Sequence, residues 1–286
     1  MNDDDASSSW LTPSPSNSKL ASFLGDPQFP SKLSSDTTDR GERIKLYEDL
    51  YRQYSRLGLT RTSDRPIAIA GLERRLRYDL RARGDFGIFD DGRSFLQRSL
   101  LWQRGREVPR LTRIDFEIPG RRTTTVPSWS WMAYEEGIDY LELPLGNPPV
   151  VWLTSECHGP WAAAEGADGV ARNTEQSRVS TELQATARRL RRGEYNIQGP
   201  EGPDEFHIVY DVPDPTKTEG EELMCVVMGR RNEAGKAVGD LTHYVLLVKP
   251  NASSSMPGGK AFERVGVGKM LGKFIELDRD KKIRIR

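Results

Sequence analysis

The chain has 286 residues, with 42 acidic and 42 basic side chains and a formal net charge of zero. This balance creates no overall field that would attract a polyanion, so the composition argues against a nucleic-acid partner. Hydrophobic residues make up 36% of the chain, beside 18 prolines and 26 glycines, which indicates that the packed core is smaller than the whole sequence.

The sequence carries no signal for a membrane or for secretion. Apolar runs fall short of the roughly 20 residues that span a bilayer, and the acidic start lacks the regions of a signal peptide. Cys157 and Cys225 are too few for a disulfide framework. We therefore expect a cytoplasmic protein without a membrane partner.

Helical spacing is confined to the first third of the chain. Residues 1–40 are rich in Ser, Asp and Pro and predict a disordered tail, because they cannot bury enough apolar surface to offset chain entropy. Apolar residues at three- and four-residue spacing predict a helix over 42–57, which Gly58 would cap. Further helices are predicted over 63–80, with a proline in the first turn, and over 93–103.

After Gly105 the chain changes to short apolar or alternating runs between loops of turn-forming residues. The runs at 223–228 and 244–248 are apolar on both faces and predict central strands. Strands are predicted at 138–143, 149–156, 181–192, 206–212, 223–228, 244–248, 261–270 and 282–286.

The predicted fold class is α+β. No helix-length segment separates the strands, so an antiparallel β domain, a sandwich or an open barrel, is favoured over a parallel sheet. The predicted parts are a disordered tail (1–40), a short helical segment (41–105) and a mainly β domain (106–286).

The stretch from Pro127 to Trp131, with the sequence PSWSW, holds two tryptophans that are two residues apart. On an extended strand both indoles would leave the same face, because side chains alternate. Large aromatic side chains usually serve cores, so we predict that Trp129 and Trp131, with Trp102, are buried structural anchors. The alternative is an exposed ladder that binds a ligand or a protein.

Several residues that could carry chemistry lack the required spacing. Cys157 is adjacent to His158, whereas zinc ligands are usually separated by two to four residues, and neighbours on a strand point to opposite faces. The glycine-rich run from Gly266 fits neither the dinucleotide fingerprint nor the Walker loop. For Gly266 and Gly268 we predict a β-bulge or a close backbone contact. No catalytic residue, cofactor-binding site or metal site is predicted.

Three segments, in this order, resemble fungal heterokaryon-incompatibility (HET) domain proteins in the region that follows their HET domain. The first covers residues 54–72, with its Tyr-Ser, Leu-Thr and Ala-Gly pairs, and the second joins Leu-Leu-Trp at 100–102 to the PSWSW stretch. The third, from Phe262 to Gly268, contains Glu-Arg-Val-Gly with Arg264 as its basic residue. Together they span about residues 42–286.

The resemblance implies a role in fungal non-self recognition and programmed cell death. In that family the HET domain, which resembles the TIR fold, lies upstream and triggers cell death. Only the Ser/Pro-rich tail precedes Tyr47 here, which predicts a truncated product or an incomplete gene model.

The function that we expect is that of a non-enzymatic accessory and recognition region acting through protein contacts. A full-length HET protein is the candidate partner, and the sequence indicates no oligomeric state. The alternative is an enzyme, a hydrolase or a nucleotide-processing activity, with a site assembled from dispersed residues.

Overall fold

The structure is a computed structural model, and it describes residues 40–116, 126–144, 149–161, 181–191, 206–213, 223–251 and 260–286. The predicted disordered tail lies outside the described residues, apart from Arg40, which begins the first helix. The described parts form an α+β fold in which helices and two small hairpin-like sheets precede a mainly antiparallel barrel. The predicted fold class is thereby confirmed.

Three α-helices are present among the described residues: α1 (Arg40–Ser55), α2 (Arg65–Leu80) and α3 (Phe95–Ser99). None of them is long and apolar enough to cross a membrane. The predicted capping role of Gly58 was wrong, because α1 ends earlier and Gly58 lacks the left-handed conformation of a capping glycine.

The helix predicted over 93–103 is shorter than expected. Its C-terminal part is a strand, because Trp102 pairs with Tyr140. The short pairs β1–β2 and β3–β4 were not predicted as sheets. The strands are β1 (Arg83–Asp85), β2 (Ile88–Asp90), β3 (Trp102–Arg104), β4 (Ile138–Tyr140), β5 (Val150–Trp152), β6 (Cys157–His158), β7 (Leu183–Arg189), β8 (Phe206–Tyr210), β9 (Met224–Arg231), β10 (Thr242–Pro250), β11 (Phe262–Leu271) and β12 (Lys281–Ile285).

Five strands form a ring in the order β9, β10, β11, β12 and β7. Pairing between β7 and β9 closes this ring. An odd number of strands cannot alternate in direction around a closed ring, so one neighbouring pair must be parallel. That pair is β11 and β12, which meet at Phe262 and Ile285. Strands β5, β6 and β8 extend the ring by pairing with β9, β7 and β11.

Two apolar clusters lie on opposite faces of β9 and β10. Val226 and Leu246 belong to the larger one, here the large core, whereas Val227 and Val245 belong to the smaller one. Burial on both faces confirms the prediction that these strands are central. The large core also takes side chains from α1, α2 and α3, so the helical segment and the barrel share one hydrophobic core.

Strand β11 has a bulge at Val265. Leu247 of β10 faces Gly266 whereas Val248 faces Arg264, so Val265 is the extra residue. A Cβ on Gly266 would lie 2.4 Å from the carbonyl oxygen of Val209. Of the two predicted alternatives, the close backbone contact is confirmed at both glycines, since Gly268 likewise approaches the backbone of β8, whereas the bulge falls on the neighbouring Val265.

Gly266→Ala should therefore destabilise the fold by about 1–3 kcal/mol, since the added methyl group overlaps the backbone of β8. Gly58→Ala is the matched control, because nothing lies within 4 Å of the Cβ that it adds. Chemical denaturation measures both free energies of unfolding. Equal stability of the two variants would contradict the close contact.

Candidate functional site

The PSWSW stretch forms a turn followed by a short 3-10 helix. The amide of Ser130 donates to the carbonyl of Pro127 at 3.0 Å, and the 3-10 helix begins at Trp131. The stretch is therefore not an extended strand, and this turn sends the two rings in different directions.

Both indoles are nevertheless buried, with 0% of each tryptophan exposed. Trp129 donates through Nε1 to the carbonyl of Thr181, just before β7, whereas the ring centroid of Trp131 lies 5.0 Å from that of Tyr51 on α1. Trp102 is also buried and donates to the carbonyl of Trp129 at 2.9 Å. The prediction of buried anchors is confirmed, and an exposed ladder is excluded for these three rings.

Arg264 is the centre of a buried polar cluster, here the arginine node. Its side chain is 0% exposed, and its Nε donates to Oδ2 of Asp211 at 2.9 Å. Its guanidinium also donates to the carbonyls of Leu100 and Trp102 and lies 3.3 Å from the centre of the Trp102 indole. The cation therefore has a counter-ion, two carbonyl acceptors and an aromatic face.

Ser128 links the PSWSW stretch to the same node. Its hydroxyl accepts from the backbone amide of Arg264 at 3.1 Å and donates to the carbonyl of Arg286. The second and third of the segments that carry the family resemblance thus meet at the arginine node.

The first of the segments that carry the family resemblance is tied to the rest of the fold by Arg65, which is 2% exposed. Its guanidinium donates to the carbonyls of Ser55 and Glu135, and its own carbonyl accepts from the hydroxyl of Tyr54. Burial lowers the pKa of Arg65. This arginine therefore ties the start of α2 to α1 and to the loop after the PSWSW stretch.

The tip of the β1–β2 hairpin is held from three sides. Phe86 and Gly87 both have positive φ angles, 56° and 74°, as a two-residue type I′ turn requires. Ser130 donates to the carbonyl of Phe86 at 2.7 Å, and the hydroxyl of Tyr47 donates to the carbonyl of Gly87 at 2.6 Å. Glu73 accepts from the amide of Gly87 at 2.7 Å. These contacts offset the cost of a left-handed phenylalanine.

The pKa of Glu73 is raised to about 7, chiefly by burial; the amide of Gly87 and the cation of Arg77 lower it, and nearby Asp85 adds to the rise. Glu73 is only 6% exposed. A carboxyl with this pKa could exchange a proton near neutral pH, but its burial keeps it from a dissolved substrate.

Neither thiol is placed for nucleophilic chemistry. Cys157 is buried and His158 is exposed, so the two diverge as strand neighbours should. Burial raises the pKa of Cys157 and of Cys225 to about 12, which leaves both as neutral thiols. Within the described ranges, no group of three or more His, Cys, Asp or Glu side chains could hold a metal ion.

Sequence reasoning identified the tryptophans, Arg264 and the two glycines but missed the partners that give them their roles. Asp211 is 53 positions from Arg264, and Glu73 meets Gly87 across a turn that was not predicted. No local spacing links these residues. The Phe-Gly pair after Asp85, which fits a two-residue hairpin turn, was the one signal in the sequence that indicated this hairpin.

Comparison with protein families, with curated proteins and with solved structures finds no match to this chain.

Asp211→Asn should destabilise the protein by about 3–5 kcal/mol, because it leaves the buried Arg264 cation without its counter-ion. Glu142→Gln is the control, since it breaks an ion pair with Arg106 whose side chains are 88% and 82% exposed and should change stability little. Thermal and urea unfolding compare the two. A small effect of Asp211→Asn would show that the node does not depend on this pair.

Glu73→Gln should remove a pH dependence of stability. The folded protein holds the Glu73 proton more tightly than the unfolded chain, so the free energy of unfolding falls as pH rises from the ordinary pKa of 4.5 to about 7. The fall should be about 3 kcal/mol, and Glu73→Gln should flatten it. Glu42→Gln, at an exposed site on α1, should keep the slope. Urea unfolding between pH 4 and pH 8 measures it.

Proposed function

We propose that this chain is a non-catalytic recognition region of the heterokaryon-incompatibility type, acting through protein contacts in the fungal cytoplasm. The observation that carries the proposal is the outward face of α2. Ile67 is 75% exposed and Tyr78 is 85% exposed, although both are large hydrophobic residues. Such side chains at the surface favour an interaction site.

The two side chains belong to one face of α2. A separation of 11 residues is about three whole turns of an α-helix, so Ile67 and Tyr78 point in the same direction and lie about 16 Å apart along the axis. The exposed residues Ala70, Gly71 and Arg74 lie between them on that face. Gly71 has nothing within 4 Å of the position of a Cβ, so no packing inside the chain accounts for it. We name this face the α2 surface.

The charge at the C-terminal end of the α2 surface favours an acidic amphipathic helix as its occupant. Arg74 and Arg81 are exposed on α2 and just after it, whereas Glu73 is buried and turned toward Gly87. Apolar residues of a partner helix would cover Ile67 and Tyr78, and its acidic residues would pair with the arginines. A HET-domain protein that presents such a helix is the proposed partner.

Burial of the motif residues supports the same reading. Arg264, Trp102 and the tryptophans of the PSWSW stretch are saturated with contacts inside the chain, so they act as a scaffold. An enzyme with a dispersed site, the alternative, is less well supported, because Glu73, the carboxyl with a pKa near neutrality, is buried.

The double variant Ile67→Ser/Tyr78→Ser should lose capture of a HET-domain protein in a fungal host by at least about tenfold, since the contacting apolar area is removed. Its melting temperature should match that of the parent, because both side chains are exposed. Val212→Ser/Val238→Ser, which also removes two exposed apolar side chains but lies outside α2, is the matched control.

Quantitative mass spectrometry after affinity capture reads the result. Equal recovery of HET-domain proteins with both double variants would contradict the α2 surface. Turnover of NAD or ATP by the purified chain would instead support the enzyme.

A further inference from the structure

A groove of about 860 Å³ runs along the barrel wall at β7 and β12 and reaches the end of β10 and the start of β11. Gln184 and Thr186 on β7, with Lys282 and Arg284 on β12, alternate with residues of the large core, so their side chains point away from that core. This volume falls in the range of about 300–1,000 Å³ that is typical of small-molecule sites.

The described lining of the groove is rich in cations. Lys260, Lys282, Arg284 and the imidazole of His158 line it. Lys281 also lines it, but as the strand neighbour of Lys282 it points to the other face of β12, where its ammonium lies 5.2 Å from the centre of the Phe262 ring. Because the whole chain is neutral, this concentration is a local feature of the barrel wall. A concave surface lined by charges of one sign raises the local concentration of a ligand of the opposite charge.

Few acids compensate this charge. Glu156 lines the groove, but its two oxygens accept from Arg188 at 3.0 and 2.9 Å. Arg284 lies 3.5 Å from Glu182. In the part of the chain that the structure describes, no carboxylate pairs with the three groove lysines, Lys260, Lys281 and Lys282.

Hydrogen-bonding groups on neighbouring strands complete the wall. His158, Gln184 and Arg284 form a row across β6, β7 and β12, because His158 pairs with Gln184 and Gln184 pairs with Arg284. In the next row, Lys282 donates through Nζ to the hydroxyl of Thr186 at 2.6 Å, which fixes the ammonium group against β7. The wall therefore offers oriented donors as well as charge.

We propose that this groove binds a compact polyphosphate anion, a soluble ligand with linked phosphate groups. Such a ligand carries enough negative charge in a small volume to engage several ammonium groups at once, and its oxygens accept from amide and imidazole donors. Single-stranded nucleic acid is less well matched, since its sites use exposed aromatic rings for stacking and Phe262 in this lining is only 2% exposed. The groove is separate from the α2 surface and does not depend on it.

Isothermal titration of the purified full chain with inorganic tripolyphosphate tests the proposal. Binding should weaken as salt is raised, and Lys260→Gln/Lys282→Gln should lower the affinity by about tenfold or more, because it removes two cations from the wall. The matched control is Lys45→Gln/Lys236→Gln, which removes two exposed lysines outside the groove and should bind as the parent does. All four substituted lysines are exposed, so the melting temperatures should agree.

Three results would overturn the proposal. The first is no binding of tripolyphosphate even at low salt. The second is an equal loss of affinity in both double variants, which would show that only net charge matters. The third is tighter binding of citrate, of a glutamate-rich peptide or of a single-stranded oligonucleotide at matched charge, which would assign the groove to another class of ligand.

Discussion

Arg264 brings a full positive charge into a place that water does not reach, and the arrangement of the segments around it follows from that burial. A buried cation is tolerated only when its partners are held in position. Here the partners are Asp211 after β8 and the carbonyls of Leu100 and Trp102 between α3 and β3. Because these partners come from two separate segments, neither segment can shift without leaving a charge or a carbonyl unpaired.

The bulge at Val265 makes this arrangement possible. Residues 262 and 264 of β11 lie on the side of the strand that faces the large core. Without the extra residue, the next position on that side would be Gly266. The bulge moves the alternation by one position, so Val267 returns to the large core. The inserted residue thus keeps an apolar side chain, Val267, on the same side of the sheet as Phe262 and Arg264.

The PSWSW stretch links the arginine node to the tip of the β1–β2 hairpin. Ser128 contacts Arg264, and Ser130, two residues later, holds the carbonyl of Phe86. Trp131 then packs on α1. The helical segment and the barrel are therefore coupled through hydrogen bonds as well as through the shared large core. Separating them would expose apolar surface and break both sets of bonds.

The elements that sequence reasoning predicted well are those specified by local periodicity. The three- and four-residue spacing from Ile44 to Tyr54 described the buried face of α1, and apolar runs located the central strands β9 and β10. What could not be predicted depends on contacts between distant positions. The direction of Trp129 and Trp131 is set by a turn, and the hairpin tip places Phe86 in a conformation that its residue type disfavours. The ion pair between Arg264 and Asp211 has no local signature at all.

The burial of these residues bears on what the resemblance to HET proteins can mean. Side chains that are buried among residues of the same chain determine its fold. They cannot determine which partner binds, because a partner does not contact them. The proposed recognition therefore rests on exposed residues around the scaffold. The two exposed features differ in character, since the α2 surface is apolar with arginines at its margin and the barrel groove is polar and cationic. Binding at the α2 surface combines apolar contacts with arginine pairs, so salt should weaken it less than it weakens the binding of a polyanion in the groove. The size of the salt dependence therefore separates the two surfaces.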